Sequence, residues 1–183
     1  MDTALLVIDI QNDYFPGGAN PLVGADKAAA NASKIIDFFR AKDLSVIFIQ
    51  HFSNRPDAKF FTPGTPGVEF ASGVRPLQGE KIIPKHFPNA FRETPLHEYL
   101  QTIGIKHLVV CGMMTHMCVD STVRAAKDLG YGCQVIGDAC ATCDLANSGK
   151  YINACDINDS FLAAMTYYYA GVVKTSEYIA KNS

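Results

Sequence analysis

The chain has 183 residues and a formal net charge of −2; 48% of the residues are hydrophobic and 19% are charged. It lacks a basic stripe of the kind that binds nucleic acid and an apolar run of the roughly 20 residues needed to span a bilayer, so we expect neither a nucleic-acid partner nor a membrane. Length and composition are those of one globular domain covering residues 1–183. The first residues enter an apolar run without the charged region of a secretory signal, which favours a cytoplasmic protein.

Apolar runs and helical patterns alternate along the chain. Short runs typical of strands occupy residues 4–8, 45–50, 81–84, 107–111, 132–136 and 171–174. Helical spacing of apolar residues covers 26–42, 94–103, 119–129 and 156–169. This alternation predicts an α/β fold of three layers, doubly wound, with a mostly parallel six-stranded sheet and helices on both faces. The segment 52–80 is too long for a plain connection, so we expect a loop over the active site or at a subunit contact.

Three chemically active residues follow strand-like runs. Asp9 follows the first run, Lys85 follows the third, and Cys118 stands at or just before the helix that follows the fourth. The carboxyl ends of parallel strands form the crevice in which ligands bind, so these side chains can converge. A carboxylate that takes the thiol proton, an ammonium that favours the ionised pair and a thiolate at a helix N-terminus together form a nucleophile for a carbonyl carbon. Taken singly, Asp9 also fits a helix or turn cap, Lys85 fits a solvated surface charge, and Cys118 fits a small buried side chain.

Five motifs stand in order along the chain: LLVIDIQNDYF around Asp9, GTPGVEF from Gly64, KHFPNAFRETPL around Lys85, VVCGMMTHMCVDSTVRAAKDLGY around Cys118, and GDACAT from Gly137. Together they resemble one known family in the same order, the isochorismatase-like cysteine hydrolases, over roughly residues 4–173. This family includes nicotinamidases, N-carbamoylsarcosine amidases and ureidoacrylate amidohydrolases.

The resemblance implies an Asp9–Lys85–Cys118 catalytic triad. It also implies a cis peptide bond between Met113 and Met114, with the N–H groups of Met114 and Cys118 forming an oxyanion hole. The implied activity is hydrolysis of an amide, ureide or carbamoyl C–N bond of a small molecule through a cysteine thioester, without a cofactor. Family resemblance further suggests a homodimer or homotetramer.

Three other interpretations remain open. One is vinyl-ether hydrolysis of the isochorismatase type, against which Cys118 argues because that chemistry needs no covalent nucleophile. Another is a non-catalytic binding or assembly role. The third is a redox protein built on the C-x-x-C spacing of Cys140 and Cys143, although a plain strand-to-helix loop is the favoured interpretation of that segment.

The same comparison with the family bears on metal ions and on the substrate pocket. Metal-binding relatives carry an Asp and two or more His after the second strand, whereas this chain offers His51 alone, so we predict no metal. Asn158 stands where related sequences often have His, and its role is left open. The candidate substrate-binding residues are Gln11, Tyr14, Phe15, Phe60, Phe61 and His116, the last either pocket-lining or structural.

Overall fold

Six parallel strands make the central sheet of the structure, a computed structural model that describes residues 2–183. Counting two strands outside this sheet, the strands of the described residues are β1 Thr3–Ile8, β2 Ser45–His51, β3 Lys81–Lys85, β4 His107–Met113, β5 Gly132–Ala141, β6 Leu145–Asn147, β7 Lys150–Ile152 and β8 Gly171–Val173. The helices are α1 Ala25–Ala41, α2 Leu96–Thr102, α3 Asp120–Asp128, α4 Ala154–Thr166 and α5 Thr175–Asn182. The sheet order is β3-β2-β1-β4-β5-β8, and β6 and β7 form a separate antiparallel hairpin. The order runs outward in both directions from β1 and β4, as in a doubly wound sheet.

Helices cover both faces of this sheet. Leu5 and Val7 of β1 pack in one apolar cluster with α1 and α5, while Leu6 and Ile8 pack in another with α2, α3 and α4. Successive side chains of a strand point to opposite faces, so a strand buried on both sides must be apolar throughout. The continuous run ALLVI therefore marks a central strand, and the three-layer α/β fold predicted from the sequence is confirmed.

The long segment between β2 and β3 is packed against the domain rather than extended from it. It contains two short 3-10 turns, Pro66–Val68 and Ser72–Val74, and its residues Val68, Phe70 and Val74 join the core under α1. Arg40 of α1 binds both carboxylate oxygens of Glu80 at 2.8 Å. Through these contacts the segment is an integral, packed part of the domain.

Some elements differ from the sequence-based prediction. Cys118 precedes α3 as predicted, and the intervening residues Thr115–Val119 form a π-helical turn that the sequence did not indicate. β5 continues to Ala141, past the predicted end at residue 136. The hairpin of β6 and β7 is nearly all exposed, and α5 buries Thr175 and Tyr178, so neither element has a strong apolar pattern. Among the described residues, no helix is both long and apolar enough to cross a membrane.

Candidate active site

The carboxyl ends of β1, β3 and β4 bring the three predicted catalytic side chains together. Asp9 directly follows β1, Lys85 is the last residue of β3, and Cys118 lies in the turn after β4. Lys85 Nζ is 2.7 Å from Asp9 Oδ2 and 3.2 Å from Cys118 Sγ. The relative exposure of the three residues is 0%, 1% and 4% for Asp9, Lys85 and Cys118. The ammonium therefore bridges a carboxylate and a thiol away from bulk water.

Gly112 allows β4 to approach β1 closely enough for this convergence. Its φ is +137°, and a Cβ at this position would lie 2.0 Å from the carbonyl oxygen of Ile8. Glycine alone tolerates both the backbone conformation and the close approach. The Met113–Met114 peptide bond that follows is cis.

His51 is a fourth and uncharged member of this buried cluster, and from the sequence it was considered only as a single potential metal ligand. It ends β2, between β1 and β3, and its Nδ1 lies 2.7 Å from Lys85 Nζ. Burial, followed by the charge of Lys85, lowers the pKa of His51 to about 3. The imidazole is therefore neutral at physiological pH and accepts a hydrogen bond from the ammonium. The sequence did carry a signal for His51, because it stands at the end of a strand-like run, as Asp9 and Lys85 do.

The electrostatics of the cluster favour a protonated resting thiol beside a base. Burial raises the pKa of Cys118 above its ordinary value, and the Asp9 carboxylate raises it further, while Lys85 opposes both. Burial also raises the pKa of Asp9, partly offset by the charge of Lys85. Burial by itself lowers the pKa of Lys85, but the charge of Asp9, and of Cys118 when it is ionised, outweighs burial and raises the pKa. The second carboxylate oxygen, Asp9 Oδ1, has no hydrogen-bond partner among the described residues.

The same atoms bear on metal binding. Ligand atoms of Asp9, His51 and Cys118 all lie within 4.8 Å of one another, a spacing that suits a divalent ion. Lys85 Nζ contacts all three residues, so the cation that these groups share is the ammonium itself. The absence of a metal stays a prediction, supported by this arrangement.

A cavity of about 290 Å³ opens onto the sulfur. Its lining is mostly aromatic and apolar, with polar groups at the loop that follows β2, as is usual for small-molecule sites. It is lined by Tyr14, His51, Ser53, Asn54, Arg55, Phe60, Phe61, His86, Phe87, Pro88, Met114, Met117 and Cys118. Of the predicted site residues it includes Tyr14, Phe60, Phe61, Met114 and Cys118. His86, Phe87 and Pro88 were missed, although the motif KHFPN places them directly after the strand that ends at Lys85.

Three predicted substrate-binding residues lie elsewhere. The Gln11 amide accepts from the N–H of His51 at 2.7 Å and donates to the carbonyl oxygens of His51 and Val68 at 2.9 and 2.8 Å. Gln11 thus holds the end of β2. Phe15 lines a separate, more open surface cavity on the far side of Phe60.

His116 points away from the sulfur and bonds Thr142 through its Nδ1. The neighbouring Thr115 hydroxyl lies 2.7 Å from Asn158 Oδ1 and 3.2 Å from the Ala141 carbonyl. Asn158 therefore ties α4 to the turn that carries Cys118. These positions give His116 and Asn158 structural roles and place neither in the cavity.

The two cysteines of the C-x-x-C spacing are free thiols in different surroundings. Cys140 is buried and its sulfur lies 3.4 Å from the Ile136 carbonyl, while Cys143 Sγ is 3.8 Å from Met114 Sδ. This arrangement does not favour the interpretation as a redox pair.

Fold and site define an α/β protein with a buried carboxylate–ammonium–thiol cluster at the carboxyl edge of its sheet. The isochorismatase domain model matches residues 3–166. The chain belongs to the isochorismatase family, whose members are hydrolases.

Relatives cover the chain almost completely. The isochorismatase family protein YddQ of Bacillus subtilis (strain 168) is 50% identical over 181 residues, 99% of this chain and 100% of its own. The crystal structure of an isochorismatase from Pseudomonas putida KT2440 superimposes with a TM-score of 0.90 at 39% identity, covering 96% of this chain and 89% of that one. An N-carbamoylsarcosine amidase from Thermoplasma acidophilum gives a TM-score of 0.81 at 26% identity, covering 96% and 97%.

Proposed function

We propose that the protein is a cysteine amidohydrolase that cleaves an amide, ureide or carbamoyl C–N bond of a small molecule. The observation that carries this proposal is the bridge of Lys85 Nζ between Asp9 Oδ2 and Cys118 Sγ, at 2.7 and 3.2 Å, below a small cavity. The likeness to an N-carbamoylsarcosine amidase supports the choice of bond.

In the acylation half, Asp9 takes the thiol proton of Cys118 and the sulfur attacks the substrate carbonyl carbon. Lys85 favours this step because its charge lies against the sulfur and stabilises the thiolate as it forms. The tetrahedral oxyanion is expected to accept hydrogen bonds from the N–H groups of Met114 and Cys118, a type of contact whose loss costs about 10²–10³ in rate. Collapse breaks the C–N bond, and Asp9 returns the proton to the leaving nitrogen.

In the deacylation half, a water molecule takes the place of the amine. Asp9 removes one proton from this water, whose oxygen attacks the thioester carbonyl. Cleavage of the C–S bond releases the acid and leaves the sulfur to recover the proton from Asp9. Each turnover therefore consumes one water, releases one amine or ammonia and one acid, and restores the starting cluster.

The test is turnover and covalent labelling across a panel of small amides, ureides and carbamoyl compounds. We expect wild type to release ammonia or amine from at least one compound and to show an acyl mass on Cys118 in intact-protein mass spectrometry. Cys118→Ala should show neither, and Cys140→Ala is the matched control because it removes a buried thiol outside the cluster. Turnover by Cys118→Ala would refute the thioester route.

Vinyl-ether hydrolysis is the second candidate. It would use Asp9 as a proton donor and would not need the sulfur. Vinyl-ether cleavage that survives in Cys118→Ala, without amide turnover by wild type, would favour it.

A further inference from the structure

Tyr14 and Phe61 are the two fully buried aromatic side chains that line the candidate cavity. Tyr14 ends the 3-10 turn Asn12–Tyr14 that follows β1, and only 1% of its surface is exposed. Its ring packs edge-on against Phe61 with centroids 4.7 Å apart and contacts Phe60 at 6.0 Å. The Tyr14 carbonyl accepts from the N–H of Leu22, which fixes the backbone as well. The ring therefore has one firmly held position.

The Tyr14 hydroxyl makes no hydrogen bond within residues 2–183, and, unlike the carboxylate oxygens of Asp9, it is not fully sealed from solvent, since Tyr14 lines the cavity. Buried tyrosine hydroxyls usually find one, as Tyr131 does 3.0 Å from His97 Nδ1. A phenylalanine would fill the same aromatic cluster without leaving a polar group unpaired. The hydroxyl of Tyr14 thus has no explanation in the packing of the protein itself.

The electrostatic surroundings keep this hydroxyl protonated. Burial raises the pKa of Tyr14 well above its ordinary value, and negative charge on Cys118 and on Asp9 raises it further. Tyr14 and Cys118, the proposed nucleophile, line the same cavity, so the phenol and the sulfur can meet one substrate. A neutral phenol in that place offers an O–H donor to whatever occupies the cavity.

We infer that the Tyr14 hydroxyl donates a hydrogen bond to the acyl part of the substrate. The substrates selected are small amides that carry an acceptor atom, such as a carbonyl oxygen or a ring nitrogen, close to the scissile carbonyl. The remainder of the acyl group packs against Phe60, Phe61 and Phe87. This inference rests on the proposed function and adds a residue that chooses among its substrates.

The test uses matched pairs of amides that differ in the acceptor alone. Benzamide is compared with the three pyridine carboxamides, and butanamide with 3-oxobutanamide. For at least one pair, wild type should favour the acceptor-bearing member, and Tyr14→Phe should lower its kcat/KM by about 10–100-fold because the donor is gone. The acceptor-free member should change less than about 3-fold. Tyr131→Phe, which removes another largely buried hydroxyl outside the cavity, should match wild type on both.

The outcomes separate this inference from the proposed function. An equal loss on both members of every pair, or no loss on either, would overturn the role of Tyr14 while leaving the hydrolase intact. If wild type hydrolyses none of these amides while turning over the ureides of the wider panel, the inferred substrate class is wrong. If wild type hydrolyses nothing at all, the proposed function fails, and calorimetric titration of wild type and Tyr14→Phe with the same pairs then decides. Acceptor-dependent binding that Tyr14→Phe loses would uphold the contact, and its absence would overturn it.

Discussion

Lys85 is the residue on which the candidate site depends most. Its ammonium contacts Asp9, Cys118, His51 and the carbonyl oxygen of Phe87 in a region closed to solvent. A buried carboxylate without such a partner is costly, because desolvation penalises its charged form. Folding stability and the proposed catalysis therefore depend on the same ion pair.

Replacing this lysine should destabilise the fold in a pH-dependent way. Lys85→Met leaves Asp9 buried without a counter-charge, which we expect to cost about 3–5 kcal/mol in the free energy of unfolding at pH 7.5. The pKa of Asp9 is already raised in the folded protein, and losing Lys85 raises it further. Below that higher pKa the folded variant holds a proton that the unfolded chain has lost, so its deficit against wild type should shrink as pH falls from 7.5 to 5.

Urea denaturation of both proteins at the two pH values measures this change. Lys81→Met, at the other end of the same strand and partly exposed, is the control and should follow wild type. A deficit that stays constant with pH would contradict the pairing of Asp9 and Lys85.

The neutral His51 makes the folded protein less stable as pH falls, whereas the deficit of Lys85→Met shrinks as pH falls. Its pKa of about 3 in the folded protein lies below the ordinary 6.5, so between these values the unfolded chain binds a proton that the folded chain does not. This residue should therefore contribute full stability above pH 6.5 and lose about 2 kcal/mol of it by pH 5.

His51→Asn should flatten that part of the pH dependence relative to wild type, as measured by urea midpoints from pH 5 to 7.5. His86→Asn is a suitable comparison, since that histidine is more exposed. A slope equal in wild type and His51→Asn would count against a buried neutral imidazole.

At the scale of elements, the turn after β4 is the feature that positions the sulfur. Gly112 lets β4 lie close to Ile8 of β1, and Thr115 and Asn158 tie the turn to β5 and α4. The nucleophile is thus held from three sides by backbone and short polar contacts.

Gly112→Ala should be among the most damaging small substitutions in the chain. The added Cβ would lie 2.0 Å from the backbone of Ile8 at a φ of +137°, so we expect a loss of more than about 3 kcal/mol or failure to fold. Gly73→Ala meets nothing within 4 Å and should stay within about 0.5 kcal/mol of wild type. Thermal and urea unfolding of the two variants would check this, and a stable, active Gly112→Ala protein would contradict it.

Strand positions were predictable because strands buried on both faces are apolar throughout, and the strand ends then located Asp9, Lys85 and Cys118. The contacts of Gln11, Phe15 and His116 were not, because side-chain direction in loops and turns depends on backbone torsions that spacing alone does not define. Gln11 shows this plainly: its amide reaches β2 instead of the cavity. α5 was not predicted because this short polar helix buries only Thr175 and Tyr178 and so has no clear apolar pattern.

At the scale of the whole molecule, the two apolar clusters sandwich the sheet and leave the carboxyl edge for chemistry. The segment between β2 and β3 contributes both to the core, through Val68, and to the cavity, through Phe60 and Phe61. Phe61 is held by Asp13, whose Oδ2 accepts its N–H at 2.6 Å. Of the two expected placements for this segment, the cavity lining supports the one over the candidate active site, and the subunit contact stays a prediction.

The quaternary structure stays a prediction. A homodimer or homotetramer is expected from the family, and Tyr167 and Tyr168 at the end of α4 are 94% and 66% exposed. Light scattering after size-exclusion chromatography would measure the mass in solution, and a monomer across micromolar concentrations would contradict this expectation. If the protein is an oligomer, the double variant Tyr167→Ser, Tyr168→Ser would test whether these tyrosines lie at the subunit contact.

The placement of the sulfur also determines how the protein responds to electrophiles. Cys118 is reached through a cavity of about 290 Å³ with bulky aromatic walls, whereas Cys155 is exposed at the surface. We therefore expect compact alkylating reagents to reach Cys118 through this space, and wide aromatic disulfides to modify Cys155 instead. The size of a thiol reagent should then determine which of the two cysteines it labels.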